Sequence, residues 1–376
     1  ALGLGGLDSC LISTSNLNAR AAYPIWYCLI LLPQKLIMSL PELPLHLQLT
    51  QMISGYWLSQ AIYAAAKLSL AEHLSKGAKS CQELASLTET NPAALYRLMR
   101  ALASVGIFQE TESQQFILTP LAEHLSSNHP QSVKATAIML GEAPHYQAWG
   151  NVLHSIKTGQ LSFDDVFGMG VFEYFQTHPL DAEIFEQSMN SFSFSEEKAI
   201  LAVYNFSEFQ TLVDVGGGYG EMLGTILEQY PHLKGILFDE DYVIYHCQPT
   251  LEKHGILHRC QTVGGSFFES VPSGGDGYLL KHIIHDWDDR RAIAILKNCC
   301  QALDSNGKVL VLEMVVPSGN NPSAAKMLDL NMLVMCPGGK ERTAKEFEEL
   351  LSQAGLKLNR IIPTKEDIFI IECLKK

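Results

Sequence analysis

The chain has 376 residues, enough for two domains with substantial cores, and its 47% hydrophobic and 18% charged content excludes a disordered protein. A formal net charge of −13 argues against a nucleic-acid partner, which would call for clustered Lys and Arg. Nine scattered cysteines, none in a C-x-x-C pair, point to a reduced, cytoplasmic protein without a zinc site.

Residues 1–37 precede the first methionine, Met38, and read as an extension outside the functional chain. Their apolar run, Ala21 to Leu32, is interrupted by Pro24 and is too short to span a bilayer. It lacks the basic flank and cleavage site of a secretory signal. The sequence therefore implies no membrane partner.

Residues 38–140 read as one unit. Met52-Ile53, Tyr56-Trp57, Ala61-Ile62 and Ala65 recur at helical steps between Leu47 and Leu74. A short helix begins at Lys79–Ala85, and Thr90-Asn91-Pro92 starts another over 93–105. Two short strands follow, at 106–108 and 116–120. Three helices and a hairpin make a winged-helix shape. A DNA reader of that shape carries basic residues on its recognition helix. Arg97 and Arg100 are the only candidates, so packing or dimerisation is the better reading.

Residues 141–209 form a helical connector rich in aromatics. Most such residues fill cores, but Trp149, Phe172 and Phe175 are candidates for clamping a flat substrate, with Met189 beside them. From 210 to 376, strands and helices alternate as in a doubly wound α/β sheet, ending in an antiparallel hairpin at 356–362 and 368–374. Strands are predicted at 211–215, 235–239, 278–280 and 308–315. Helices are predicted at 221–230, around 242–254, at 289–303 and at 344–354.

The first of these strands, Leu212-Val213-Asp214-Val215, runs into Gly216-Gly217-Gly218-Tyr219-Gly220-Glu221 and then a helix. Glycines let a ligand approach the backbone, and a helix start offers free N–H donors. Asp239 closes the next strand, where an acid suits ribose hydroxyls. The pair indicates a nucleoside cofactor without saying which. A dinucleotide-dependent oxidoreductase remains a rival, although the loop lacks the third glycine of G-x-G-x-x-G. A non-catalytic, ligand-sensing winged-helix regulator is the other.

His285, in Lys281-His282-Ile283-Ile284-His285-Asp286-Trp287, sits past a strand at the ligand-bearing edge of such a sheet and is the candidate general base. His282, His285 and Asp286 have poor spacing for a metal, and none is predicted. Asp286 and Asp289 read as the N-cap and N3 acid of a helix beginning near Trp287. Two carboxylates are placed to orient the imidazole. Glu313 is a lone acid in an apolar strand, and Glu341 lies in a loop whose glycines, Gly338 and Gly339, permit close approach.

These motifs, together with Gly55-Tyr56-Trp57, Leu118-Thr119-Pro120, Phe267-Phe268-Glu269-Ser270-Val271-Pro272 and Gly338-Gly339-Lys340-Glu341-Arg342-Thr343, resemble a family over Met52 to the C-terminus. That family is the S-adenosylmethionine-dependent O-methyltransferases of the caffeate/flavonoid and hydroxyindole type, in bacterial form. The resemblance implies that Gly216, Gly218 and Gly220 line the methionine and ribose part of S-adenosylmethionine, with Asp239 on the ribose hydroxyls. It implies Phe267 against the adenine, Lys281 near the methionine end and Ser193 near the cofactor. It also implies His285 as base held by Glu313 and Glu341, Met189 against the substrate ring, and a homodimer formed through the N-terminal unit. Two positions depart from the family: Ser266 stands where an acid often precedes the adenine-flanking pair, and Asp241 where a proline often follows the ribose acid. The substrate so implied is a small aromatic hydroxyl compound. A phenol has a pKa of about 10 and an ordinary histidine about 6.5, so prior deprotonation is uphill by about 5 kcal/mol. Proton removal is therefore expected to accompany methyl transfer.

Overall fold

Ser80 opens the helix Cys81–Thr88 with a capping box to Glu83, and Asn91 caps Pro92–Ser104 with a proline at the first helical position. The computed structural model describes residues 44–376, without the side chains of residues 190 and 192–194. The predicted extension, 1–37, lies outside the described residues. The long helical pattern after Leu47 is three helices, Leu45–Ile53, Gly55–Lys67 and Leu70–Leu74, because the chain turns at Ser54 and at Ser69, whose φ is 51°. Strands β1 (Lys79–Ser80), β2 (Phe108–Glu110) and β3 (Gln115–Leu118) form a sheet in the order β1-β3-β2. Leu70, Leu84, Met99, Leu102 and Phe116 close its core, whereas Leu45, Met52, Ile53, Tyr56 and Trp57 lie exposed on the first two helices.

Six helices between Lys134 and Val203 form the connector, ending in the long helix Pro179–Val203. The C-terminal sheet contains β4 (Thr211–Val215), β5 (Lys234–Asp239), β6 (Cys260–Gly264), β7 (Gly277–Lys281), β8 (Lys308–Met314), β9 (Leu356–Pro363) and β10 (Ile368–Lys375). Its order is β6-β5-β4-β7-β8-β10-β9, parallel except for β10, which runs antiparallel to both neighbours. Apolar clusters cover both faces, as a doubly wound sheet requires. The strand order reverses between β4 and β7, so the crevice beyond their carboxyl ends is the expected ligand position.

From residue 210 onward three elements differ from the sequence reading, and in the N-terminal unit Lys79–Ser80 is the strand β1 where a helix start was expected. β6 went unpredicted because this edge strand, Cys-Gln-Thr-Val-Gly, has no apolar run. The helix expected around 242–254 is two pieces, Asp241–Ile244 and Gln248–Lys253, the second restarting with Pro249 in its first turn. Helix Ala324–Met335 was missed; it is apolar nearly all round, and Ser323 at its N-cap makes no side-chain capping hydrogen bond.

β10 also holds a buried acid that the sheet needs. Glu372 accepts hydrogen bonds from Tyr204 Oη at 2.6 Å and Arg360 Nε at 2.8 Å, with Lys308 Nζ at 3.4 Å. Burial disfavours its charge, but these donors win and hold the carboxyl down at about 2. Glu372→Gln is therefore expected to destabilise the protein by about 2–3 kcal/mol at pH 7. A depressed carboxyl stabilises fully above its unfolded pKa and loses the effect as pH falls through the folded one. Urea unfolding should thus show the difference at pH 7 and its shrinkage from pH 4 toward pH 2.

Candidate active site

The carboxyl ends of β4, β5 and β7 open into one cavity of about 520 Å³. Gly216, Gly218, Asp239, Phe267 and Lys281 line it on the sheet side. Trp149, Phe172, Phe175 and Met189 line it from the connector, and His285 faces it between the two groups. Phe172 stacks on Trp287 at 5.3 Å between ring centroids. The cavity thus has an apolar, aromatic end and an acidic, glycine-lined end.

The glycine loop is tight for reasons beyond ligand approach. Gly216 has a φ of 70°, and a Cβ there would lie 2.4 Å from Ile283 Cδ1. Gly218 donates its N–H to Asp239 Oδ2 at 2.8 Å, while Asp239 Oδ1 accepts the Glu240 N–H at 2.7 Å. One lone pair on each Asp239 oxygen is then used by backbone, and the others remain for a ligand's hydroxyls. Burial raises the Asp239 carboxyl to about 6, against the pull of those two N–H groups. Gly220 does not line the cavity, contrary to the sequence reading. It is the left-handed residue before helix Glu221–Gln229, packed on Leu237 and Leu251. Ser266 also stays out of the lining; its Oγ accepts the Phe268 N–H at 3.4 Å and shapes the turn that presents Phe267. The Ser193 side chain lies outside the described side chains.

Lys281 reaches the cavity from the end of β7 and pairs with buried Glu196, Nζ to Oε2 at 3.3 Å. After it the chain turns sharply at His282, whose φ is 55°. His282 Nε2 also contacts Glu196, at 3.0 Å, and its ring stacks on His285 at 5.3 Å. Burial works against the Glu196 charge, but His282 and Lys281 hold its carboxyl down at about 2.

His285 stands on a single 3₁₀ turn, Ile284–Asp286. Its Nδ1 donates to Glu341 Oε1 at 2.6 Å. Glu313 plays a different part from the one expected: its Oε2 is 3.8 Å from the imidazole, too far to orient it. Instead its Oε1 accepts the N–H groups of Ile284 at 2.6 Å and His285 at 3.1 Å, clamping the turn. Glu341 reaches the ring because its loop lies directly on the histidine's backbone. Lys340 N–H donates to His285 O at 2.8 Å, and a Cβ on Gly339 would stand 2.7 Å from that oxygen. Arg342, buried, ties the loop down by donating to Ile284 O, Trp287 O and Asp289 Oδ1.

Asp286 is no N-cap. Asp288 caps helix Asp289–Ala302 through the Arg291 N–H at 2.8 Å, and Asp289 is that helix's first residue. Asp286 faces the cavity, 3.6 Å from His285 Nε2, and accepts from Cys336 Sγ. Burial disfavours the imidazolium, but the carboxylates of Glu313, Glu341 and Asp286 outweigh it and raise His285 to about 10. Nε2 makes no hydrogen bond among the described residues and is left toward the cavity. The atoms of His285, Glu313 and Glu341 lie within 4.8 Å of one another, a spacing a metal would also accept. Glu341 is engaged by the ring and Glu313 by backbone N–H groups, so the cluster is held by its own hydrogen bonds.

Sequence reasoning missed Glu186 and Asn331. Glu186, on the long connector helix, lines the acidic end beside Gly218, and burial next to Asp239 lifts its carboxyl to about 8. Asn331 lines the aromatic end from the unpredicted helix. Neither sits in a motif, and only the fold brings them in.

Comparison with known proteins bears on this geometry. Residues 149–357 match the model of an O-methyltransferase domain, and residues 50–128 that of an O-methyltransferase dimerisation domain. The chain is 43% identical to a phenazine O-methyltransferase of Lysobacter antibioticus over 88% of this chain and 96% of that one. It is 35% identical to a caffeic acid 3-O-methyltransferase of Medicago sativa over 87% and 93% of the two chains. An O-methyltransferase from neocarzinostatin biosynthesis, solved with S-adenosylmethionine and 2-hydroxy-5-methyl naphthoic acid, superposes with a TM-score of 0.74 at 31% identity. That alignment covers 85% of this chain and 96% of the other.

Proposed function

This chain belongs to the S-adenosylmethionine-dependent O-methyltransferases, and we propose that it methylates the phenolic hydroxyl of a small planar aromatic molecule with His285 as general base. The aromatic end of the cavity and the aromatic acceptors named for the relatives support that acceptor. The single observation that carries the mechanism is the His285–Glu341 contact at 2.6 Å, which leaves Nε2 toward the cavity.

The acidic end fits the cofactor: its glycine-lined backbone leaves room, and Asp239 keeps acceptor capacity for two ribose hydroxyls. Asp239, Gly216, Gly218, Phe267 and Lys281 would hold it. Bound there, S-adenosylmethionine supplies a sulfonium-activated methyl group. His285 Nε2 would receive the acceptor's hydroxyl proton, and Glu341 would keep the ring oriented and offset the imidazolium charge. With His285 raised to about 10, the histidine and a phenol of pKa about 10 are matched. The transfer itself is then nearly level, and the cost moves to the imidazole, which must be neutral before it can accept the proton. The residues' remaining task is alignment, which Phe172, Phe175, Trp149 and Met189 would provide by gripping the ring. We propose a homodimer, with the exposed Trp57 and Tyr56 face of the N-terminal unit buried between copies.

Transfer of isotope-labelled methyl from S-adenosylmethionine to a panel of phenols, catechols and hydroxylated tricyclic aromatics tests the proposal. Labelled methyl ether should form, with equal yield in the presence of a chelator. A chelator-sensitive yield would overturn the metal-free base. Label on nitrogen or carbon alone would overturn the acceptor.

A further inference from the structure

We propose that the side-chain amide of Asn331 is the specificity donor of the acceptor site. It would read a neutral hydrogen-bond acceptor on the planar substrate, a ring nitrogen or carbonyl oxygen, away from the hydroxyl that is methylated. This rests on the reading of the cavity as a methyltransferase acceptor site.

The argument starts from Trp149. An indole N–H only donates, so the Asn331 atom 2.8 Å from Trp149 Nε1 must be the amide oxygen. His145 Nε2 lies 3.2 Å from that same oxygen. Burial holds His145 neutral, its imidazole lowered to about 4, so it carries one N–H, and that N–H serves the oxygen too. Two donors on Oδ1 fix the amide's orientation and forbid a flip. Nδ2 then points away from them and makes no hydrogen bond to any described residue. Asn331, Trp149 and His145 all line the cavity, so the free NH₂ belongs to its wall.

A rigid donor in a largely aromatic wall is selective. A ring without an acceptor would strip water from Nδ2 and give nothing back, a loss larger than the bond itself is worth. Charge sets the remaining preference. Asp181 and Asp286 line the same cavity, Glu142 there is paired with Lys67, and the cavity's lysine, Lys281, is paired with Glu196. A carboxylate-bearing acceptor would meet negative potential, whereas a neutral nitrogen or carbonyl would not.

Titration calorimetry on protein saturated with S-adenosylhomocysteine tests this with three ligands of one shape: 2-hydroxyphenazine, 2-hydroxyanthraquinone and 2-hydroxyanthracene. The wild type should bind at least one of the first two about tenfold or more tightly than the third. The one that does identifies nitrogen or carbonyl as the group read. Asn331→Leu, similar in volume, should bring the ratio to about one while its affinity for S-adenosylhomocysteine stays within about twofold. Should that variant fail to bind S-adenosylhomocysteine, Trp149→Phe, which unlocks the amide, should still reduce the ratio severalfold. Equal affinities in the wild type, no binding of either heteroatom ligand, or a ratio retained in a variant that binds S-adenosylhomocysteine normally would overturn the proposal. Binding with the expected ratio but no methyl transfer would instead sink the O-methylation reading and leave the donor role standing.

Discussion

His285→Ala is expected to lower kcat by about 10³-fold while S-adenosylmethionine affinity stays within about twofold. The size follows from what the residue is asked to do. A general base contributes about 10²–10⁴-fold, and the middle of that range is expected here once the imidazole is neutral. The substitution leaves Asp239, the glycine loop and Lys281 in place, so cofactor affinity should hold. Alanine leaves Glu313 and Glu341 buried around an empty space, and their repulsion threatens the loop. His285→Gln, neutral and able to hydrogen-bond, is the control. It should show the same loss in kcat with less loss of stability. Turnover and a direct cofactor titration on both variants check the expectation. An undiminished kcat in either would remove His285 from the chemistry.

Asp239→Ala is expected to weaken S-adenosylmethionine binding by about 100-fold, with kcat at saturating cofactor lowered only severalfold. Two hydroxyl hydrogen bonds to a carboxylate are worth about 1.5–3 kcal/mol each, less what water returns. The backbone adds a share, because the same carboxylate holds the Gly218 N–H at 2.8 Å. A pH signature separates this from general loosening of the loop. Asp239 is raised to about 6 by burial, so its acceptor strength falls as pH drops through that value. Wild-type affinity should therefore decline below pH 6. Asp239→Asn, which cannot ionise, should bind weakly at every pH without that inflection. Calorimetric titration between pH 5 and pH 8 distinguishes the two profiles.

The parts of the site legible in the sequence are those whose residues carry their own explanation. Gly216 to Gly220 after an apolar strand, an acid closing the next strand, and a lone glutamate inside β8 each conflict with ordinary core composition, and a site resolves the conflict. The strands of the buried sheet other than β6 were legible as short apolar runs between turn signals. What stayed hidden depends on spatial arrangement. Glu313 and Glu341 look equivalent on paper, and only the 3₁₀ turn shows that one clamps backbone while the other holds the ring. Asp286 looked like a helix cap because the start of the following helix was placed too early. Asn331 stands on a helix whose apolar residues run nearly all round, so periodicity gave neither the helix nor its cavity face. The glycine loop suited a dinucleotide nearly as well as S-adenosylmethionine, and it is family membership that decides against an oxidoreductase or a non-catalytic regulator.

The proton hand-off is the centre of the account, and its most direct test is a single-turnover pH profile of methyl transfer for the wild type and Glu341→Gln. With His285 raised to about 10, the wild-type rate should climb with pH through neutrality and level off only as that value is approached. Removing the Glu341 charge while keeping an oxygen for Nδ1–H should move the inflection to lower pH and cut the plateau by about 10–100-fold. A wild-type rate flat from pH 6 to pH 10, or an inflection that Glu341→Gln leaves in place, would contradict it.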